Sequence, residues 1–195
     1  MKTKRLKRFI YSFFVYSMAV QTIMLVAVYF GTKEVNWGEG ANAKMGLIIG
    51  VLLIQLIAIP GAILLSKISK FKGNLFALKL VVFIWILLCL SALLVYEPIH
   101  FYLISGFVGL VMGGIQSLSR STYSKFLPKT EDHASYFSFY DVLEKIGMTI
   151  GILSFGYLTG AFSIRYSIMA LTIFFVVGLV LLLFVPSEKK QLSST

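Results

Sequence analysis

Charge is scarce in this chain: Asp, Glu, Lys and Arg make up 13% of its 195 residues, against about a quarter in a water-soluble domain. Cysteine is scarcer still. Cys89 stands alone inside an aliphatic run, which excludes a disulfide framework and offers nothing like a thiolate site. The two histidines, His100 and His133, fall in different loops at opposite ends of any helical threading, so no metal is expected. Acidic residues number 8 and form no metal-binding array. Glycine–lysine phosphate loops and serine–histidine pairs at membrane depth are also missing. The expectation is a non-enzyme without a cofactor.

What the chain does have is apolar length. Hydrophobic residues make up 58% and the mean hydropathy is +0.88. Six runs, at about 9–30, 46–66, 75–95, 99–118, 136–160 and 164–185, approach or exceed the ~20 residues that carry a helix across ~30 Å of hydrocarbon. The fold class predicted is an all-α integral membrane protein, one domain over 1–195 with the bilayer as its first partner. The opening KTKRLKR imitates a signal peptide, but the apolar run behind it is too long and ends in Tyr29-Phe30-Gly31 without a small-residue cleavage site. It reads as an uncleaved first helix.

A net charge of +10 raises the question of nucleic acid, and its distribution answers it. With Met1 inside, fifteen of the eighteen basic residues fall in inward segments; the exceptions are Lys33, Lys44 and Arg165. That asymmetry orients membrane helices with both termini cytoplasmic. No single soluble face gathers the charges, so nucleic acid is not expected as a partner. The setting expected is a multi-pass protein of a bacterial plasma (inner) membrane.

The helices differ in character. The third and sixth are almost wholly aliphatic and read as lipid-facing all round, with Lys79 able to reach back to the inner surface. The first, second, fourth and fifth carry polar residues and glycines. Ser17 and Gln21 share one face of the first helix, and Gln55 precedes Pro60 in the second. With Gln116 these are the candidates for a solute cavity, though polar side chains also serve as glue between helices. Gly109 and Gly113 in the fourth helix, and Gly147 and Gly151 in the fifth, recur at the spacing that lets helices approach closely; Gly156 and Gly160 repeat it. The placing of the aliphatic helix third in each run of three is that of a 3+3 inverted repeat.

Chemistry concentrates between Gly109 and Gly151. Gln116 to Ser121 close the fourth helix ahead of a basic loop; Thr130 is placed to cap the fifth, with Glu131 and Asp132 in its first turn. Asp141, Glu144, Lys145 and Met148 then form one stripe. Asp141 and Lys145 stand in the favourable acid-first i,i+4 order, a helix entrance that neutralises itself. The alternative is a cytoplasmic gate in which Arg120 bridges to Asp141 or Glu144 when the inner side is shut.

Four stretches carry a resemblance: YSMAVQTIMLVAVYFG (16–31), LLIQLIAIPGAILLSKIS (52–69), GLVMGGIQSLSRSTYSKFLP (109–128) and YFSFYDVLEKIG (136–147). Together they resemble the C-terminal six-helix half of major facilitator superfamily transporters, in the branch named for autophagy-related vacuolar amino-acid effluxers and its bacterial relatives. The resemblance implies alternating access, a small-molecule substrate such as an amino acid, and a cavity faced by the first, second, fourth and fifth helices. It also implies an absent N-terminal half, supplied by a separately encoded partner or by a second copy. Two departures stand out. The loop after the second helix is reduced to SKISKFKG, with Lys70 at the acid position, and Met18-Ala19 replaces the Asp-Gly of many relatives. The rival reading is a non-transporting fragment or accessory membrane subunit.

Overall fold

The computed structural model describes residues 2–38, 43–128 and 132–186, with side chains from Lys4 onward. The expected cap at Thr130, the first-turn acid Glu131 and the inward charges Lys129, Lys189 and Lys190 lie outside the described residues. Among the described residues six helices form: α1 Lys2–Glu34, α2 Ala43–Lys72, α3 Asn74–Ala92, α4 Pro98–Phe126, α5 His133–Ala161 and α6 Ile164–Leu183. All six are long and apolar enough to cross a membrane, and no strand occurs among the described residues.

Their lengths fall into two classes. α1, α2, α4 and α5 run 29 to 33 residues, whereas α3 and α6 have 19 and 20. At about 1.5 Å per residue the short pair just matches the hydrocarbon layer and the long four overhang it or tilt. The long helices are the four with polar residues. In α1, α2 and α4 the extra turns are basic segments that the sequence presented as loops. KTKRLKR is the first turns of α1, and SKISKFK is the last of α2, so the turn to α3 shrinks to Gly73 at φ +90, a conformation that favours glycine. Likewise α4 does not end over Gln116–Ser121 but continues to Phe126. Charged side chains keep helical hydrogen bonds as readily as apolar ones once the helix is anchored, so hydropathy marks the membrane limit and not the helix limit.

The core overturns one expectation. α3 and α6 are not lipid-facing all round: Ala77, Leu78, Val81, Val82 and Trp85 of α3, with Phe175 and Leu182 of α6, are fully buried. Trp85 stacks on Phe175 at 5.5 Å between ring centroids. Hydropathy does not separate the two environments, because lipid tails are as apolar as a leucine-lined helix interface. The most open helices are α2 and α5, whose exposed faces carry Leu52, Leu56 and Ile59, and Val142, Ile146 and Leu153.

With no hydrophobic gain from leaving lipid for protein, close van der Waals contact must hold the helices together. α2 meets α4 where Gly61 lies against Leu110 and Gly109 against Ile54; a Cβ at Gly109 would stand 2.5 Å from the Ile54 carbonyl oxygen. At Gly113 it would meet the Ala58 carbonyl at 2.6 Å. α1 meets α5 in the same way. A Cβ at Gly151 would stand 2.2 Å from Thr22 Oγ1, and one at Gly147 would stand 3.1 Å from Ser17 Oγ. Gly156 and Gly160, by contrast, have nothing within 4 Å, so their spacing marks no contact here.

Candidate functional site

The glycine seam brings polar groups of α1 and α5 together inside the apolar span. Gln21 Nε2 donates to Glu144 Oε1 at 2.7 Å. Glu144 lies eleven positions into α5, about 17 Å along the axis from the helix start. One helix over, the Tyr16 hydroxyl and Ser119 Oγ share a buried hydrogen bond of 2.7 Å. Tyr140 fills the space between, stacked on Phe13 at 4.1 Å and tilted against Tyr123 at 5.0 Å. Phe13, Tyr16, Gln21, Ser119, Tyr140 and Glu144, with Ser17 and Gln116, wall a shallow pocket of about 220 Å³ formed by α1, α4 and α5.

The charges at its entrance pair differently from the self-neutralising arrangement. Arg120 Nη2 donates to Asp141 Oδ1 across the α4–α5 gap, and its guanidinium lies 5.8 Å from the centre of the Tyr140 ring. Asp141 therefore takes the cation of the facing helix and not Lys145, which is exposed and makes no ion pair among the described residues. Glu144, expected to want a cation, has the neutral Gln21 amide in its place. The i,i+4 order made an Asp141–Lys145 pair feasible, but a guanidinium from the neighbouring helix offers a stronger charge-assisted bond.

The cavity candidates separate. Ser17 is buried and donates back to the Phe14 carbonyl of its own helix at 3.0 Å. Gln21 and Gln116 line the pocket; the Gln116 amide is exposed and lies 3.6 Å from Met24 Sδ. Gln55 is exposed on α2 and does not line that pocket. A larger cavity of about 630 Å³ toward the other end of the bundle has walls of Phe30, Trp85, Phe101 and aliphatic groups, with Ser105 among the few polar ones. It offers a polar solute little to hold.

Two further polar sites escaped the sequence. At the far end Arg165 gathers three segments. Its Nε donates to Glu34 Oε2 at 2.7 Å, its two Nη to the Leu93 and Val95 carbonyls, and its guanidinium sits 4.1 Å over the Tyr96 ring. Nothing local signalled this, because its hydrogen-bond partners are 70, 72 and 131 positions away. At the basic end, Asp132 caps α5, accepting from the Ser135 N–H at 3.2 Å. Hydrogen bonds from Ser135, through its side chain first and then its backbone, hold the Asp132 carboxyl below the usual carboxylate range. Asp132 is thus outside the first turn where an acid was expected.

Six spanning helices, glycine seams and a buried polar set could belong to many membrane folds. The family described as "Vacuole effluxer Atg22 like" matches over residues 1–194. The chain belongs to this Atg22-like effluxer family. An uncharacterised MFS-type transporter of Bacillus subtilis, YxiO, is 31% identical over 92% of the chain and 41% of its own length. Autophagy-related protein 22 of Vanderwaltozyma polyspora is 27% identical over 95% of the chain and 37% of its own length. Autophagy-related protein 22-1 of Phaeosphaeria nodorum is 30% identical over 93% of the chain and 34% of its own length. The chain thus spans about two-fifths or less of the length of these relatives. No solved structure matches it. In this Atg22-like chain the residues of the motif GGIQSLSRS lie within α4 and those of FSFYD within α5, on either side of the Arg120–Asp141 pair.

Proposed function

We propose that this six-helix bundle is the C-terminal half of a secondary carrier that moves a small solute by alternating access. A second six-helix half, separately encoded or a second copy of the chain, completes it. The single observation that carries the reading is the polar seam. Glu144 with Gln21, and Arg120 with Asp141, stand beside a pocket on α1, α4 and α5 inside an otherwise apolar bundle. Ionisable groups at membrane depth are costly and mark solute or ion pathways. α2 and α5 carry exposed apolar faces, which suit contact with another helical half.

In this mechanism Arg120 and Asp141 form a latch at the basic end, taken as the cytoplasmic side because basic segments are kept inside. The pair is closed here and separates when the inner side opens. Gln21 and Gln116 present amides to the solute, Gln55 adds one from α2, and Ser17 stiffens α1. Gly109, Gly113, Gly147 and Gly151 keep α2–α4 and α1–α5 close enough to move as units. Amino acids are the substrate class that the resemblance to vacuolar amino-acid effluxers implies, and a bacterial plasma membrane is the setting.

The test is flux in proteoliposomes with radiolabelled amino acids as probes. A lone monomer of the chain should show none, and the chain paired with a complementary six-helix half, or with a second copy of itself, should show saturable uptake. Absence of flux in every combination would favour an accessory subunit instead.

A further inference from the structure

Among the described residues, Glu144 is the one formally charged group on the wall of the α1–α4–α5 pocket; the remaining lining groups are aromatic, aliphatic, amide or hydroxyl. Nothing nearby balances its charge. The two salt bridges among the described residues, Arg120–Asp141 and Arg165–Glu34, leave it out. Arg120 is engaged by Asp141, and Lys145, the next residue in the chain, leaves α5 about 100° around from Glu144. Gln21 supplies a single neutral N–H to Oε1. The second oxygen, Oε2, accepts no hydrogen bond among the described residues.

An ionised carboxylate has about four acceptor sites. One held at membrane depth by a lone neutral donor is strongly disfavoured unless a cation reaches it. Glu144 is half-buried, so its free oxygen remains open to a ligand.

The surroundings of that oxygen say which kind of cation. Tyr140 stands one turn before Glu144 on the same face of α5, while Phe13, Tyr16, Ser17, Val20 and Gln21 form one stripe of α1. Phe13 stacks on Tyr140 and meets Tyr16 edge-on at 5.7 Å between centroids. Aromatic rings beside a carboxylate suit an organic ammonium, because the ring faces attract the charge and the carboxylate accepts its N–H groups. A hard metal ion asks instead for about six or more oxygen ligands, several of them carboxylate. No three His, Cys, Asp or Glu stand together among the described residues. The pocket holds about 220 Å³, its open side included, roughly the volume of seven waters. That is room for a small amine and not for a lipid or a peptide.

We infer that Glu144 is the counter-ion for a primary ammonium on the solute, which docks against Oε2 and the Tyr16 and Tyr140 rings while Gln21 holds Oε1. The inference rests on the carrier reading for its purpose only, since the binding belongs to this chain and needs no second half. An amino acid meets the requirement through its α-ammonium; a neutral sugar or a simple carboxylic acid does not.

The test titrates the chain in phosphatidylcholine nanodiscs with isopentylamine, isopentyl alcohol and isovalerate, which share a carbon skeleton and differ in charge. Saturation-transfer NMR at neutral pH, corrected for empty nanodiscs, reads each affinity and suits weak ligands. The wild type should bind the amine at least about tenfold more tightly than the alcohol, and isovalerate least. Glu144→Gln keeps an acceptor for the Gln21 amide and removes the charge, so the amine should fall to the level of the alcohol. Glu97→Gln removes one exposed charge at the start of α4 and should keep the preference. Equal affinity for amine and alcohol in the wild type, a preference that survives E144Q, or one lost in E97Q would each overturn the assignment. The wild-type comparison involves no substitution and decides even where E144Q fails to fold. An ammonium preference without flux in any pairing would sink the carrier and keep the site; flux without the preference would do the reverse.

Discussion

Gln21 and Glu144 join α1 to α5 through one amide–carboxylate hydrogen bond of 2.7 Å, beside the glycine contacts at Gly147 and Gly151 and the Phe13–Tyr140 stack. Removing the amide alone leaves the carboxylate without this donor. Gln21→Leu should therefore destabilise the bundle by about 1–3 kcal/mol, while Q21L/E144L, which removes both partners, should recover most of the loss. Reversible unfolding in mixed micelles measures both. A double variant as unstable as the single would show that the bond is not what couples the helices.

The glycine seams give a paired comparison within one helix. Gly151→Ala drives a Cβ into Thr22 and the Met18 carbonyl, 2.2 and 2.5 Å away, and should cost about 1–3 kcal/mol through overpacking. Gly156→Ala meets nothing within 4 Å and should be neutral or stabilise by up to about 1 kcal/mol through helix propensity. The same unfolding assay separates them, and equal effects would contradict the α1–α5 contact.

How much of this was legible beforehand depends on which forces are local. Six spanning helices and close packing at Gly109, Gly113, Gly147 and Gly151 are written in composition and spacing. Helix limits were not, because the basic turns of α1, α2 and α4 stay helical beyond the hydrocarbon. Nor was the burial of α3 and α6, since Trp85 and Phe175 read the same against lipid as against one another. The stripe at 141–148 announced an ionic site, but Asp141 had two cations in reach. Only the α4–α5 approach decides that Arg120 takes it, leaving Glu144 to Gln21. Arg165 was legible as a charge and illegible as a clamp, because sequence distance hides its partners.

That clamp predicts a large local effect. Arg165→Gln loses the Glu34 pair, two carbonyl acceptors and the Tyr96 ring, in a site where both charged side chains are 22% exposed. It should cost about 2–4 kcal/mol, discounted from a fully buried pair for this exposure. Thermal unfolding is the measure. R165K should recover only part of the loss, since one ammonium cannot reach all these partners.

Acid should loosen the start of α5. The Asp132 carboxyl is held below its ordinary range in the folded chain, so its contribution is complete above the unfolded value near pH 4. It fades as the pH falls through the lower folded value. Hydrogen exchange at the Ser135 amide, corrected for intrinsic rate, should accelerate over that interval in the wild type. In Asp132→Asn, which still caps but does not titrate there, the acceleration should be absent. Identical pH profiles would remove Asp132 as the cap.

The Arg120–Asp141 latch is tested most directly by charge reversal in the assembled carrier. The two side chains are 56% and 49% exposed, so the pair should contribute no more than about 1 kcal/mol to stability. A functional loss without an unfolding shift would then belong to gating. Labelled amino-acid flux should fall at least about tenfold in Arg120→Glu and in Asp141→Arg, and return toward wild type in R120E/D141R, at unchanged Tm. Flux that survives both single reversals, or that the double reversal fails to restore, would contradict the account.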